Sequence, residues 1–239
     1  MEARSGNAVE SFEILPAQTL TRVVQHISGT RAPLLGAYPW HVLVEYVGSE
    51  PGITASSGLE PLLAAALKAG FAQDAVIAAN EAQAEAFWRL RDSISEAERA
   101  SGPAVQHDIS VPVDAMPDFM LTAATAIEAN FPGTTAIAFG HLGDGNVHFH
   151  VKAPPGADDR SWRAETGAKA TRMVHDLVVA AGGSISAEHG IGQIKRAELL
   201  RLSDPARISA LRAIKAALDP QGIMNPGKLV PLASDAPPA

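Results

Sequence analysis

Phe139-Gly140-His141-Leu142-Gly143-Asp144-Gly145-Asn146-Val147-His148-Phe149-His150 sets two β-rich runs on either side of an Asp-Gly pair. Asp-Gly tolerates the positive φ angles of a tight turn, so the pattern predicts a β-hairpin with a two-residue connection. Closed that way, the turn pairs Gly143 with Asn146 and sets His141 directly opposite His148. Directly opposed side chains share a face, with Cβ atoms about 4.5–5.5 Å apart. Two imidazoles so placed can reach one metal ion at about 2.0–2.1 Å each. His150 lies two residues further on and points to the same face. A lone histidine is more often a hydrogen-bonded structural residue. Two that face each other beside a third point to metal ligation or catalysis.

A mononuclear site needs at least a third protein ligand. Ser184-Ile185-Ser186-Ala187-Glu188-His189-Gly190-Ile191-Gly192 reads as a short strand, a glycine turn and a helix start, a junction that projects side chains into a cleft. Glu188 can complete a set of two histidines and one carboxylate with positions left open for substrate. His189 can act as a general base. The plainer reading of this pair is a helix-start carboxylate beside a solvated histidine.

Working outward, β-rich runs fall at Ala8–Leu15, Trp40–Val47, Asp74–Ala79, Gln106–Val111, Thr134–Gly140 and Asn146–Lys152. Helical patterns cover Pro16–Ile27, Leu59–Ala69, Glu81–Ala100 and Asp114–Asn130, then Asp158–Ala181, Gly192–Arg201 and Asp204–Leu218. Pro16 and Pro61 suit first-turn positions, and Asp204-Pro205 reads as a cap followed by a first-turn proline. The order predicts an α+β fold: an antiparallel sheet with helices on one face, ferredoxin-like, followed by a C-terminal helical segment; two ferredoxin-like halves would account for it, although no sequence repeat demonstrates a duplication. The expected divisions are a sheet-bearing unit over 1–182, the helical segment over 183–230 and a loose Pro/Ala-rich tail over 231–239.

Composition narrows the function classes. Of 239 residues 46% are hydrophobic and 19% charged, so a large core can form and disorder does not compete. A net charge of −7 argues against nucleic-acid or anionic-membrane partners, which need a concentrated basic face. Lys195, Arg196 and Arg201 are interrupted by Glu198 and read as a solvated helix face. The absence of cysteine excludes disulfides, thiolate zinc sites and a cysteine nucleophile, and suits a cytoplasmic protein. No stretch approaches 18 apolar residues, which predicts a soluble chain. No Gly-rich phosphate loop follows a strand near the N-terminus, so a nucleotide-binding domain is not expected within the chain.

Three ordered motifs together resemble the C-terminal part of the FAD-linked oxidases, and within these the D-lactate and D-2-hydroxyglutarate dehydrogenases. They are Gly140-His141-Leu142-Gly143-Asp144-Gly145-Asn146-Val147-His148, Glu188-His189-Gly190-Ile191-Gly192, and Asp219-Pro220 leading to Asn225-Pro226-Gly227-Lys228. The resemblance runs from Glu10 through Lys228. In that family a flavin-binding domain comes first, and this chain starts about where that domain would end.

The resemblance implies that His141, His148 and Glu188 bind a divalent metal, zinc or manganese, and that His189 takes the substrate hydroxyl proton. Arg91 matches the arginine that clamps the substrate carboxylate, and Ser95, one helical turn on, faces the same ligand. Asn225 and Glu188 would lie near an FAD held by the separate domain, against which residues 183–230 would pack. The implied function is oxidation of a D-2-hydroxy acid to a 2-oxo acid, with the isolated chain inactive. Two departures bear on the substrate. Relatives acting on dicarboxylates carry a lysine where this chain has Gln106 and an asparagine where it has His150, leaving His150 to contact substrate or join the metal shell. The ligand set by itself also permits a metallohydrolase, or a non-catalytic metal-binding subunit whose apolar docking face drives a homodimer.

Overall fold

The computed structural model describes residues 8–47 and 55–230. The tail expected to be loose, 231–239, lies outside the described residues. The strands are β1 (Val9–Pro16), β2 (Trp40–Tyr46), β3 (Ala104–Ser110), β4 (Thr135–His141) and β5 (Asn146–Lys152). They form one sheet in the order β2-β1-β4-β5-β3 with every neighbour antiparallel. The helices of the sheet region are α1 (Ala17–His26), α2 (Ala55–Lys68), α3 (Glu81–Asp92), α4 (Ile94–Ala100), α5 (Met116–Asn130), α6 (Asp159–Trp162) and α7 (Ala168–Ala180). A π-turn over Arg163–Gly167 joins α6 to α7. The C-terminal segment adds α8 (Arg196–Leu202) and α9 (Pro205–Leu218).

The α+β class and the antiparallel sheet stand, but helices cover both faces rather than one. Val147, Phe149 and Val151 of β5 pack with Ala136 and Ala138 of β4 against α5 and α7. On the opposite face Leu15, Ile137 and Phe139 pack against Leu20 and Val23 of α1, Leu90 of α3, and Ile94 and Ala97 of α4. Helices from the first half of the chain cover one face of the sheet and α5 and α7 cover the other, so β4 is buried under both sets. An apolar/polar alternation shows that a strand is half-buried, but both faces of a central strand here are apolar.

Three local expectations also change. Asp74–Ala79 joins no ladder, because β-propensity marks an extended backbone and a ladder needs a partner edge. The run Glu81–Ala100 is two helices broken at Ser93. Pro61 lies inside α2 rather than in its first turn, since that helix begins at Ala55. Asp204 caps α9 as expected, accepting the Ala206 N–H at 2.7 Å with Pro205 in the first turn.

The β4–β5 hairpin closes at His141↔Asn146 and not at Gly143↔Asn146, so the connection is four residues long. Two interactions explain this. Leu142 N–H is drawn to Phe12 O of β1 at 2.8 Å, and Asp144 Oδ1 accepts the Asn146 N–H at 2.9 Å inside the loop. Gly145 has φ +78°, and a Cβ added there would meet Val111 O at 2.1 Å. Gly145→Ala therefore combines left-handed strain of about 1–2 kcal/mol with a backbone clash. The expected result is a thermal midpoint lower by more than about 4 °C, the larger part coming from displacement of β3. An unchanged midpoint would show that the loop is not held against Val111.

Candidate functional site

One end of the sheet, on the face that carries α1, α3 and α4, gathers the polar residues. His141 ends β4, His148 and His150 alternate along β5, Asp108 lies on β3 and Glu13 on β1, all directed to this side by the two-residue period. His148 faces Phe139 across the ladder and His150 faces Ile137. His141 and His148 are thus diagonal neighbours instead of an opposed pair, yet their ring centroids are 5.6 Å apart at 74°. The register differs from the expected one by two residues, and an even shift keeps both rings on one face.

Glu188 reaches the same place from the C-terminal segment. One ligand-type atom from each of His141, His148 and Glu188 lies within 4.8 Å of the others. Glu188 Oε1 is 3.5 Å from His141 Nε2, and half of the carboxylate side chain is open to solvent. His189 is exposed beside it, with Nδ1 3.7 Å from Asp108 Oδ2.

His150 is outside this trio. Its ring is buried edge-on to Phe139 with centroids 5.1 Å apart, and its Nδ1 has no hydrogen-bond partner among the described residues. Burial lowers its pKa to about 3, so at neutral pH it is an uncharged group. Gln106 is its cross-strand partner and is exposed.

Arg91, on the last turn of α3, points into the cluster. Its Nε donates to Glu13 Oε2 at 2.7 Å, and its Nη2 lies 3.3 Å from His141 Nε2. Ser95 is exposed on α4, beyond the break at Ser93. Asn225 is remote from the histidines in sequence, exposed and held at φ 47°, where its carbonyl accepts the Lys228 N–H at 3.2 Å.

Three further residues complete the cluster without being evident from the sequence. Glu13 is 1% exposed and bridges the site from below, accepting from His141 Nδ1 at 2.6 Å as well as from Arg91. Burial pushes its carboxyl up, but the bonds from His141 and Arg91 outweigh this and leave it below the ordinary value. The same bond raises the His141 pKa, against its partial burial. With Nδ1–H committed to Glu13, the neutral His141 ring leaves Nε2 as an acceptor, 3.3 Å from Arg91 Nη2 and 3.5 Å from Glu188 Oε1. Asp108 is 5% exposed, and its Oδ2 accepts the N–H groups of Glu188 at 3.0 Å and His189 at 2.8 Å. Lys195, expected on a solvated helix face, instead donates from Nζ to Asp108 O at 2.9 Å and Ile185 O at 2.8 Å, and burial lowers its pKa. The signal for Glu13 and Asp108 was a carboxylate at an inward position of a half-buried strand.

The family whose model describes "FAD linked oxidases, C-terminal domain" matches residues 2–229. A D-2-hydroxyglutarate dehydrogenase of Xanthomonas citri pv. viticola is 33% identical over 92% of this chain and 46% of its own length. A mitochondrial D-2-hydroxyglutarate dehydrogenase of Arabidopsis thaliana is 33% identical over 95% of this chain and 39% of its own length. One from Rattus norvegicus is 31% identical over 95% of this chain and 40% of its own length. The chain therefore spans less than half the length of these relatives. Among the described residues no helix is long and apolar enough to cross a membrane.

Proposed function

Because the chain belongs to the C-terminal domain family of the FAD linked oxidases, we propose that it is the substrate- and cation-binding part of an FAD-dependent dehydrogenase. The reaction is oxidation of a D-2-hydroxy acid to a 2-oxo acid. The observation that carries this reading is the convergence of His141, His148 and Glu188 within 4.8 Å, with the Arg91 guanidinium 3.3 Å from His141.

Two imidazoles and a carboxylate suit zinc or manganese and leave coordination positions for a substrate. The donor set fits such an ion further because His141 already has its outer nitrogen bonded to a carboxylate. Bound there, the ion would polarise the substrate hydroxyl, and FAD on a separate domain would supply the hydride acceptor.

The side chains of this chain supply the rest. Arg91 offers a planar fork to the substrate carboxylate, and Glu13 fixes the orientation of that fork through Nε. His189 is exposed enough to meet the substrate hydroxyl and accept its proton. Residues 183–230 are the segment that would meet the flavin domain. Leu218, Ile223 and Met224 stand exposed just before Asn225, an apolar surface suited to such docking.

Gln106 and His150 bear on the choice of hydroxy acid. Both are uncharged at neutral pH, and the cations nearest His150, Lys152 and Arg22, are paired with Glu98, which disfavours a second carboxylate on this side of the site. D-2-hydroxy acids with an uncharged side chain are the preferred class, over D-2-hydroxyglutarate.

The test compares the chain alone with the chain supplied with an FAD-binding domain, using an artificial electron acceptor and a panel of D- and L-2-hydroxy acids. The chain alone is expected to show no flavin absorption and no turnover. With the domain it oxidises D-enantiomers, with a higher kcat/KM for uncharged side chains than for D-2-hydroxyglutarate. Bound flavin and turnover without a partner would overturn the assignment of halves, and preference for the dicarboxylate would overturn the substrate class.

A further inference from the structure

The Asp108 carboxylate is buried at the junction of β3 with the Glu188–His189 segment, and only one of its oxygens is accounted for. Oδ2 takes the two backbone N–H groups, while Oδ1 has no hydrogen-bond partner among the described residues. A buried carboxylate oxygen without a donor is costly, and native structures rarely keep one without a purpose. Asp108 is paired directly with His148 across the β3–β5 ladder, so the two side chains stand side by side on the same face.

A histidine that ligates a cation through one nitrogen almost always donates its other N–H to a carboxylate, carbonyl or water. His141 has that partner already in Glu13. The carboxylate adjacent to His148 is Asp108. We infer that Asp108 is the positioning residue that couples the two halves of the cation site: Oδ2 fixes the backbone carrying Glu188 and His189, and Oδ1 receives the outer ring N–H of His148. This rests on the cation site proposed above. It adds a specific consequence, that loading the site turns His148 toward Asp108 while Glu188 is held by the other oxygen of the same group. Lys195, donating to the Asp108 carbonyl and to Ile185 O, keeps the strand and the C-terminal segment from sliding apart.

The informative variant is Asp108→Asn. Its single amide oxygen can still accept the N–H groups of Glu188 and His189, which leaves an NH2 facing the His148 ring N–H. Zinc affinity is measured on the 239-residue chain by competition with a chromophoric chelator. The expected result is a 10- to 100-fold loss (about the range for removing an outer partner), with amide-exchange protection at residues 188 and 189 retained. In zinc-loaded wild-type chain labelled with 15N-histidine, the outer His148 ring proton is expected to exchange slowly. Equal zinc affinity in Asp108→Asn, or a freely exchanging His148 ring proton in the zinc-loaded wild type, overturns the inference and leaves the cation site standing. Absence of stoichiometric zinc in the wild type overturns both. If Asp108→Asn does not fold, the wild-type ring proton alone decides.

Discussion

His141→Ala is expected to weaken zinc binding by more than about 100-fold, and Glu13→Gln by about 10- to 100-fold, the range for loss of an outer partner. His141 is one of three donors within 4.8 Å of one another, so removing it leaves two of the three proposed ligands among the described residues. Glu13 touches no cation, yet its two oxygens serve two donors at once, His141 Nδ1 at 2.6 Å and Arg91 Nε at 2.7 Å. A glutamine has one acceptor oxygen, so either His141 or Arg91 then faces an NH2. If it is His141, the ring loses its fixed tautomer; if it is Arg91, the carboxylate clamp loses its aim. Chelator competition separates these effects from global damage when paired with a thermal melt. Wild-type affinity in both variants would end the ligand assignment.

Acidification is expected to destabilise the fold well above the pH at which its carboxylates are protonated. His107 lies on the sheet face opposite the candidate site, under α7. Its Nδ1 bonds Phe149 O at 2.8 Å, its Nε2 contacts Thr171 Oγ1 at 3.0 Å, and its ring meets His175 edge-on with centroids 5.7 Å apart. Burial lowers its pKa from 6.5 to about 3. Between those two values the unfolded chain binds a proton that the folded chain refuses, so stability rises with pH across the window and falls as pH drops through it. From pH 7 to pH 5 this group alone removes about 2 kcal/mol, or roughly 4–8 °C in the midpoint for a chain of this size.

His175 is lowered too, by burial, and acts in the same direction. His141, raised by Glu13, acts in the opposite sense: its contribution is present below its unfolded value and lost as pH rises through its folded one. Glu13 and Asp108 are lowered, so their contributions are lost only as pH falls below the ordinary carboxylate range. The measurement is the slope of the midpoint against pH between 7 and 5 for wild type and His107→Gln. The variant has the shallower slope whatever its baseline, and an identical slope would show that His107 is not the buried neutral group.

The hairpin shows how far residues alone reach. An odd error in register would have sent His141 and His148 to opposite faces, whereas the actual difference of two residues left them together. The face was legible because it depends only on parity. The pairing was not, because it depends on Leu142 bonding to Phe12 of a strand 130 positions earlier in the chain. Asp74–Ala79 illustrates the same limit from the other side, since its residues favour an extended backbone that finds no partner.

What the residues determined by themselves was therefore local and periodic: the five paired strands, the cap at Asp204, the shared face of the histidines, and the motif that delivers Glu188. Tertiary structure alone decided which polar groups meet across the sheet. Glu13 under His141 and Arg91, Asp108 under Glu188 and His189, and Lys195 behind both become partners only after β1, β3, β4 and the C-terminal segment assemble. A carboxylate at an inward strand position announces that it must be satisfied. The donor that satisfies it is chosen by strand order, and strand order reflects the burial of two apolar sheet faces by helices from two halves of the chain.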